Sequence, residues 1–456
     1  MPVSSDARAL QVDGSVFWRD EDGYERARRD AVWNMRKPDR FPEVIVQAVS
    51  EDDVVGAVRF ARERGLKVKA RSGGHSWSAS SVRDGGMLVD LSRLVDVAFD
   101  PSTQIASVQP GGRGRELNSR LAEHGHFFPT GHCPTVGVGG YLLQGGWGWN
   151  SRAIGPACLS IEAVDVVTAD GELIRADATQ NGDFLWAARG AGPGFFGIVT
   201  RFHLRTHPRP KATVASYYVY PREVADQLLR WSMEIAPQMA PELEVAVLGT
   251  NPRQRDGTPA AGETALSINA VAMTDDEGEA REMLAILETC PVLGRAAVRE
   301  TGFGATLDDL YTGAEATEPE GYRWAVDNMW TDAGPDELLP EVRELFETVP
   351  TPISHIFWYP WHEQPLPDAA LSVQGKLYIA AFAGWTDERE DESHVRWPTE
   401  QMRRLEPLSK GIQLADENLG QRRSRYLSAE NEDRLEDLRA KHDPDGVFDS
   451  YLMAPA

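Results

Sequence analysis

The sequence predicts a two-lobed α+β protein, and three observations support this fold class. The chain has 456 residues, more than the roughly 100 to 200 that one domain usually holds. Hydrophobic residues make up 41% and charged residues 26%, which is typical of a globular chain that buries a core. Strand-like and helix-like patterns alternate along the chain, with glycine-rich loops between them. We therefore expect two or three domains, or one large fold with an inserted lobe.

The charge and the cysteine content restrict the partners and the compartment of the protein. Lys and Arg number 47, and Asp and Glu number 70, so the net charge is −23. Because such an acidic surface repels phosphate backbones and anionic lipids, we expect neither nucleic acid nor a membrane as partner. Residues 1–20 lack the apolar core of a signal peptide. The scattered Cys133, Cys158 and Cys290 suit a reducing compartment, so a cytoplasmic protein is expected.

The first lobe begins with a regular alternation of strand and helix. An apolar strand at 44–46 precedes Ser50, which has the chemistry of a helix N-cap, and apolar residues then recur at helical spacing until Gly65. A half-buried strand at 66–70 leads directly into the glycine loop 71–77. In chain order, the elements that follow are strands at 87–91 and 105–108, a helix at 116–123, a hairpin of 161–168 with 172–174, and a strand at 197–206.

A second glycine-rich segment lies between Gly131 and Gly148. Seven of its eighteen residues are glycine, a density that predicts no stable helix there. Glycine backbone can approach a ligand or another backbone closely. We therefore expect this segment to lie against something.

The sequence Pro208-Arg209-Pro210 marks the boundary of a second lobe, which extends to about residue 410. This lobe alternates aromatic-rich strands, at 217–220, 355–361 and 376–385, with acidic helices, at 276–288 and 336–347. The tail is a charged helix at 430–441, stopped by Pro444, with Leu435 and Leu438 as its buried stripe.

Several familiar active-site signatures are missing. The chain has no P-loop motif, and Phe195 stands where the third glycine of a dinucleotide-binding loop belongs. Residues 74–78 resemble a nucleophile elbow but end in Ser78, where the strained turn needs glycine. These departures disfavour a phosphate-binding loop enzyme, a nicotinamide enzyme and a serine hydrolase.

A metal site has to be considered, because His124, His126, His132 and Cys133 lie within ten residues. The two histidines of a His-x-His strand share one face, but no i+4 partner and no nearby acidic ligand completes a set. Structural or surface histidines are the favoured interpretation.

His75 and Cys133 lie in the two glycine loops, 58 residues apart. A single histidine is usually a satisfied polar side chain, and a single cysteine is usually a small hydrophobic one. The residues alone leave function and packing open for both.

Three motifs identify a resemblance to a known family. They are Arg71 to Ser76 (RSGGHS), Gly131 to Gly140 (GHCPTVGVGG), and Arg189 to Gly192 (RGAG) followed by Phe196 to Thr200 (FGIVT). In order and spacing they closely resemble the FAD-binding domain of the berberine bridge enzyme-like branch of the vanillyl-alcohol oxidase superfamily. The tail from Asn431 to Phe448 is also similar to the C-terminal segment of that family.

The resemblance implies a PCMH-type FAD-binding domain that is built from both ends of the chain. Residues 1–208 and 411–456 would form this domain, and residues 209–410 would form an inserted substrate domain of antiparallel sheet covered by helices.

The resemblance also implies a doubly attached flavin. The histidine matching His75 bonds to the flavin 8α carbon in such proteins, and the cysteine matching Cys133 bonds to C6. The backbone N–H groups of 72–76 suit an anionic pyrophosphate. The expected cofactor-binding residues are Arg71, Ser72, Gly73, Gly74, His75, Ser76, Cys133, Val136, Gly137, Gly139, Gly140, Gly145 and Ile198.

The implied activity is that of an FAD-dependent oxidase, which passes a substrate hydride to flavin N5 and reduces O2 to hydrogen peroxide. The expected substrate is a hydroxyl group of a sugar or natural product. The alternatives are an amine oxidase of the nicotine-oxidase type and a flavin-binding protein without turnover. Neither the substrate nor the oligomeric state follows from the sequence.

Val136 matches a position that borders the oxygen cavity in the family, where valine leaves room for O2. The usual Tyr-x-Asn of the family tail is missing, so Tyr426 and Tyr378 are both candidates for the catalytic base. Six further aromatic residues either line a substrate pocket or pack in the core: Trp324, Trp330, Trp358, Tyr359, Trp361 and Trp385.

Overall fold

The computed structural model describes residues 10–250 and 265–453. The first nine residues of the predicted N-terminal segment therefore lie outside the described part of the chain. Mixed helices and sheets confirm the α+β fold class. Within the described residues, no helix is both long enough and apolar enough to cross a membrane.

The helices of the described residues pack against the sheets. In chain order they are α1 (Tyr24–Asp30), α2 (Glu51–Glu63), α3 (Gly114–Ala122), α4 (Val138–Leu143), α5 (Ser151–Ile154), α6 (Gly182–Ala188), α7 (Ala225–Ile235), α8 (Glu277–Leu284), α9 (Leu307–Thr317), α10 (Pro335–Glu347), α11 (Asp391–Leu405) and α12 (Ala429–His442).

The first sheet has the order β1-β2-β4-β3. Its strands are β1 (Ser15–Trp18), β2 (Val44–Gln47), β3 (Val68–Arg71) and β4 (Met87–Asp90). Strand β4 runs parallel to both β2 and β3. Helix α2 begins where the sequence predicts, because the Ser50 hydroxyl accepts the Asp53 N–H. Strand β3 ends at Arg71, where the first glycine loop begins.

The second sheet is antiparallel and has the order β5-β6-β10-β8-β9. Its strands are β5 (Val97–Asp100), β6 (Ile105–Val108), β8 (Ile161–Val167), β9 (Leu173–Asp177) and β10 (Ile198–Arg205), and a separate short pair joins β7 (His126–Phe127) to β11 (His207–Pro208). The predicted hairpin at Gly171 is present, with this glycine at φ +72°.

The prediction that the segment between Gly131 and Gly148 holds no helix is wrong. Helix α4 forms within it and contains both Gly139 and Gly140. Tertiary packing outweighs the low helix propensity of glycine here, since Tyr141 and Leu142 are buried in the main core. The prediction counted the glycines of the segment but not the apolar face between them.

The second lobe contains a seven-stranded antiparallel sheet of order β15-β12-β14-β13-β17-β18-β16. The strands are β12 (Ala212–Tyr220), β13 (Leu243–Thr250), β14 (Ala265–Thr274), β15 (Val298–Gly304), β16 (Arg323–Thr331), β17 (His355–Pro360) and β18 (Leu377–Trp385). One face packs on α7, α8, α10 and α11 and forms a separate hydrophobic core. The other face points toward the glycine loops of the first lobe.

The tail returns to the first lobe and contacts it at several places. Phe448 forms a parallel bridge to Val68 and is buried in the core beneath the first sheet. The Lys69 ammonium donates to the carbonyl oxygens of Pro193, Asp449 and Ser450. These contacts support the expected return of the chain, and the exact domain limits stay a prediction.

Helix α12 attaches the tail to the main core through Leu435 and Leu438, as its spacing predicts. We expect Leu435→Ala to lower the free energy of unfolding by about 2–5 kcal/mol, because a cavity replaces a leucine that is 1% exposed. Denaturant unfolding measures this loss. Leu173→Ala, at a position 43% exposed, is the control and should change the free energy by less than about 0.5 kcal/mol. Equal effects of the two substitutions would show that α12 is not part of the core.

Candidate functional site

A cavity of about 650 Å³ lies between the two glycine loops of the first lobe and the open face of the seven-stranded sheet. This volume is typical of ligand sites. The predicted site residues that line it are Arg71, Ser72, Gly73, Gly74, His75, Ser76, Cys133, Val136, Gly137, Gly140, Ile198 and Tyr378. Two residues near neither loop in sequence, Asp416 and Glu244, line it as well.

The two glycine loops touch through their backbones. A Cβ atom on Gly137 would lie 2.5 Å from Ser72 Oγ and 2.6 Å from Gly73 N. A Cβ atom on Gly73 would lie 2.5 Å from Gly137 N. Real Cβ atoms essentially never approach backbone so closely, so only glycine allows this contact. The contact brings two loops that are about 60 residues apart to one wall of the cavity.

Thr135 connects the two predicted attachment residues. Its hydroxyl lies 3.1 Å from His75 Nε2 and 3.4 Å from Cys133 Sγ. The indole of Trp33 stacks on the His75 imidazole, with ring centroids 4.8 Å apart. His75 and Cys133 therefore lie on the same side of the cavity and within reach of one ligand.

Burial controls the protonation of both side chains. It lowers the pKa of His75 to about 3, with smaller contributions in the same direction from Arg113 and Arg71. The imidazole is therefore neutral at physiological pH and retains a nucleophilic nitrogen. Burial raises the pKa of Cys133, so the thiol form predominates.

Arg71 holds the first loop in place through contacts with the protein itself. Its guanidinium donates to Asp90 at 3.0 Å and to the carbonyl oxygens of Ala31, Ser72 and Asp30. These bonds fix the turn that places His75 in the cavity.

Three predicted site residues do not line the cavity. Gly139 packs against Pro110 and Ser72, and Gly145 packs against the Trp147 ring. The Tyr426 hydroxyl pairs with Glu432 at 3.4 Å, and its ring packs on Tyr451 at 4.4 Å. The structure therefore does not bring Tyr426 to the other site residues. The tail reaches the cavity before it in the chain, at Gln413 and Asp416, and after it, at Phe448 and Asp449.

Tyr378 lies in the cavity and belongs to a polar chain. Its hydroxyl donates to Asp416 at 2.5 Å, and the Trp77 indole N–H donates to the same carboxylate at 2.8 Å. Burial raises the pKa of Asp416 to about 6, against the opposing effect of these two donors. It also raises the pKa of Tyr378 well above its ordinary value. A carboxylate of this kind can take a proton relayed through the tyrosine at neutral pH.

Strand alternation divides the six predicted aromatic residues. Trp330, Tyr359 and Trp361 line the cavity. Trp358 and Trp385 point to the opposite face of the sheet and pack beneath its helices. Trp324 is fully buried in the main core beside Trp77.

The sheet side of the cavity is acidic. Glu318 follows α9 and lies 3.5 Å from His355 Nε2, and Glu244 projects from β13. Of the described residues that line the cavity from β12 to β18, from α9 and from the tail segment 413–416, none is Lys or Arg. Four of the residues that form this site do not follow from the sequence motifs: Thr135, Asp416, Glu318 and Glu244. Thr135 was detectable from its place in the second glycine loop, whereas the carboxylates follow no local pattern.

The histidines considered for metal binding are dispersed. His124 and His126 both pack against Phe99, at 5.0 and 4.8 Å between ring centroids. His132 lines the cavity and packs edge-on against Trp149. Among the described residues there is no group of three side chains able to hold a metal ion.

Comparison with known proteins places the chain among flavoproteins. Residues 42–177 match the FAD binding domain family. The FAD-linked oxidoreductase ptmO of Penicillium ochrochloron is 33% identical over 450 residues, which cover 98% of each chain.

Two solved structures share the fold. The 6-hydroxy-D-nicotine oxidase of Arthrobacter nicotinovorans is 21% identical, with a TM-score of 0.84 over 98% of this chain and 99% of the other. The xylooligosaccharide oxidase of Myceliophthora thermophila, in complex with xylobiose, is 23% identical, with a TM-score of 0.77 over 97% of both chains.

The contact between the glycine loops can be tested by substitution of Gly137. Gly137→Ala should destabilise the protein by about 1–3 kcal/mol or more, because its Cβ would overlap the backbone of Gly73. Thermal unfolding of the purified protein measures the effect. The control is Gly140→Ala, whose Cβ would meet nothing nearer than Gln144 Oε1 at 3.8 Å. If Gly137→Ala unfolds at the same temperature as Gly140→Ala, then the loops are not in contact.

Proposed function

The chain belongs to the FAD-linked oxidoreductases, and we propose that it is a berberine bridge enzyme-like oxidase of hydroxyl groups with FAD attached through both His75 and Cys133. The observation that carries this proposal is the Tyr378–Asp416 pair, which lies in the same cavity as the two attachment residues. When bound, FAD accepts a hydride from the substrate carbon and passes two electrons to O2, which leaves as hydrogen peroxide.

The cavity fits this cofactor in three respects. Gly73 and Gly137 line the cavity and carry no side chain, so a ligand can approach their backbone closely. His75 and Cys133 present a neutral ring nitrogen and a thiol to the same space. Val136 lines the cavity three residues after Cys133, and the family resemblance implies that this position borders the path of O2 to the ring.

The protein residues supply the proton transfer. As hydride leaves the substrate carbon, the hydroxyl proton has to leave as well, and Tyr378 is placed to take it. Tyr378 in turn passes its own proton to Asp416, whose carboxylate it already contacts at 2.5 Å. Trp77 orients the carboxylate by donating to its second oxygen. Trp330, Tyr359 and Trp361 form the aromatic wall of the same cavity.

A second candidate function is oxidation of an amine. The observation that favours it is the absence of Lys and Arg on the sheet side of the cavity, among the lining residues that the structure describes, together with the carboxylate of Glu318. Carboxylates and aromatic ring faces both stabilise an ammonium group. Anaerobic mixing with xylobiose, glucose and 6-hydroxy-D-nicotine separates the candidates, because only a true substrate bleaches the flavin. No bleaching by any of them would favour a flavin-binding protein without turnover.

Covalent attachment is tested by denaturation. We expect the purified protein to remain yellow in acid or detergent and its intact mass to include FAD. His75→Ala and Cys133→Ala should each leave one bond, and the double variant should release free FAD. Cys158→Ala is the control, since this cysteine is buried in the core and should leave both bonds intact. Release of all the flavin from the unmodified chain would disprove the attachment.

The Tyr378–Asp416 pair predicts the pH dependence of turnover. Asp416 has to be ionised to accept a proton, so kcat should fall as the pH decreases through about 6. Tyr378→Phe should lower kcat by roughly 10² to 10⁴. Trp77→Phe removes a donor that stabilises the ionised carboxylate, so it should move the acidic limb to higher pH. A pH profile of kcat that Asp416→Asn leaves unchanged would exclude this pair from catalysis.

The side chain at position 136 is expected to control how fast O2 reoxidises the reduced flavin. Val136→Ile adds one methyl group to the cavity and should slow reoxidation by O2 strongly, while anaerobic reduction by substrate changes little. Stopped-flow measurement of the two half-reactions tests this. Val97→Ile, on β5 and packed against the same core, is the control for the added volume. If both half-reactions of Val136→Ile slow equally, then Val136 does not control access of O2.

A further inference from the structure

A buried carboxylate lies on the cavity face of the seven-stranded sheet, apart from the Tyr378–Asp416 pair. Strand β13 alternates, so that Leu243 and Val245 pack beneath the helices, while Glu244, Ala246 and Leu248 face the cavity. Glu244 is 6% exposed, and its neighbours on this face of the strand are apolar. An ionisable group is costly at such a place unless it has a partner.

Glu244 is only partly satisfied by the protein. Burial raises its pKa to about 7, although Arg152, the Tyr359 hydroxyl and the backbone N–H groups of Asn150 and Ser151 all favour the ionised form. Its Oε1 atom is buried without a hydrogen-bond partner among the described residues. Arg152, from α5, is fully buried and electrostatically coupled to it. The Arg152 Nη1 group donates to the Leu243 carbonyl oxygen at 2.6 Å, whereas its Nε and Nη2 groups have no partner in the described structure. Unmade hydrogen bonds of buried charged groups represent free energy that a ligand can recover.

Tyr359 connects Glu244 to the proposed catalytic base. The tyrosine hydroxyl interacts favourably with the Glu244 carboxylate. On the sheet, Tyr359 is directly opposite Tyr378 in the pairing of β17 with β18. Side chains opposite each other in this way are about 5 Å apart at Cβ. Glu244 therefore lies two side chains from the hydroxyl that takes the substrate proton, within the span of one small substrate.

From this arrangement we infer that Glu244 binds a second, non-reacting hydroxyl group of the substrate and so determines which substrates are oxidised. The hydroxyl donates its hydrogen to the carboxylate. A hydroxyl is a better ligand than an ammonium group at this position, because Arg152 already supplies one positive charge and a second would leave the buried cluster with a net charge. Glu318 differs in this respect, since its partner is the imidazole of His355.

The inference rests on the proposed function, because it assumes that the substrate enters the cavity beside Tyr378. It adds that the substrate is a polyhydroxylated molecule of the sugar class, with one hydroxyl at the base and another at Glu244. Binding and oxidation can be measured separately, so the failure of one is distinguishable from the failure of the other.

The experiment measures binding of xylobiose and of glucose to the oxidised holoenzyme by calorimetry, under anaerobic conditions, with flavin bleaching recorded in parallel. We expect at least one sugar to bind, and Glu244→Gln to weaken its binding at least tenfold. Glu244→Asp keeps the charge beside Arg152 but retracts it by one methylene group, and it should weaken binding as well. It also keeps the test decisive if Glu244→Gln does not fold. Glu242→Gln, two residues earlier and not among the lining residues, is the matched control and should bind as the unmodified protein does.

Two results would overturn the inference. The first is that neither sugar binds, and the second is that the folded Glu244 variants bind the sugar as tightly as Glu242→Gln does. Binding that depends on Glu244 but causes no bleaching would support the subsite and contradict the proposed oxidase function. Bleaching by a sugar whose binding does not depend on Glu244 would support the proposed oxidase function and contradict the subsite.

Discussion

The backbone contact between Gly73 and Gly137 is the constraint on which the rest of the site depends. The two loops approach so closely that no Cβ fits between them. This approach allows the Thr135 hydroxyl to lie between His75 and Cys133, and it presents both side chains to one cavity. Arg71 supports the first loop through Asp90 and three carbonyl oxygens. A larger residue at either glycine would separate the two proposed attachment residues, whatever their own chemistry.

The second lobe forms one wall of the cavity, because side chains alternate between the two faces of its strands. Every second residue of these strands packs under the helices and stabilises the sheet, and the residues between them face the cavity. The same strands therefore provide both a hydrophobic core and an active-site wall. Three kinds of group meet at that wall: the proposed proton acceptors Tyr378 of β18 and Asp416 of the tail, an aromatic surface, and the carboxylates Glu318, which follows α9, and Glu244 of β13. In the proposed function, proton transfer, cavity shape and specificity therefore depend on different side chains.

Local patterns in the sequence predict much of the fold but only part of the site. The helix that begins after Ser50 and the strand that leads into the first glycine loop follow from periodicity and capping, because these signals are local. Helix α4 was not predicted, since its stability comes from the burial of Tyr141 and Leu142 in a core formed by distant residues. Asp416 was missed for the same reason, because its partners Tyr378 and Trp77 are 38 and 339 residues away in sequence. Trp358 and Tyr359 are adjacent aromatic residues, and only the orientation of β17 in the sheet shows which of them reaches the cavity.

A crystal structure of the holoenzyme would show where the cofactor binds. We expect a flavin ring bonded to His75 and Cys133, with one face toward Tyr378, Tyr359 and Trp330. A flavin ring that lies elsewhere in the molecule would contradict the proposed site. A ring whose exposed face turns away from the seven-stranded sheet would contradict it as well, since Tyr378 and Asp416 could then take no proton from a substrate.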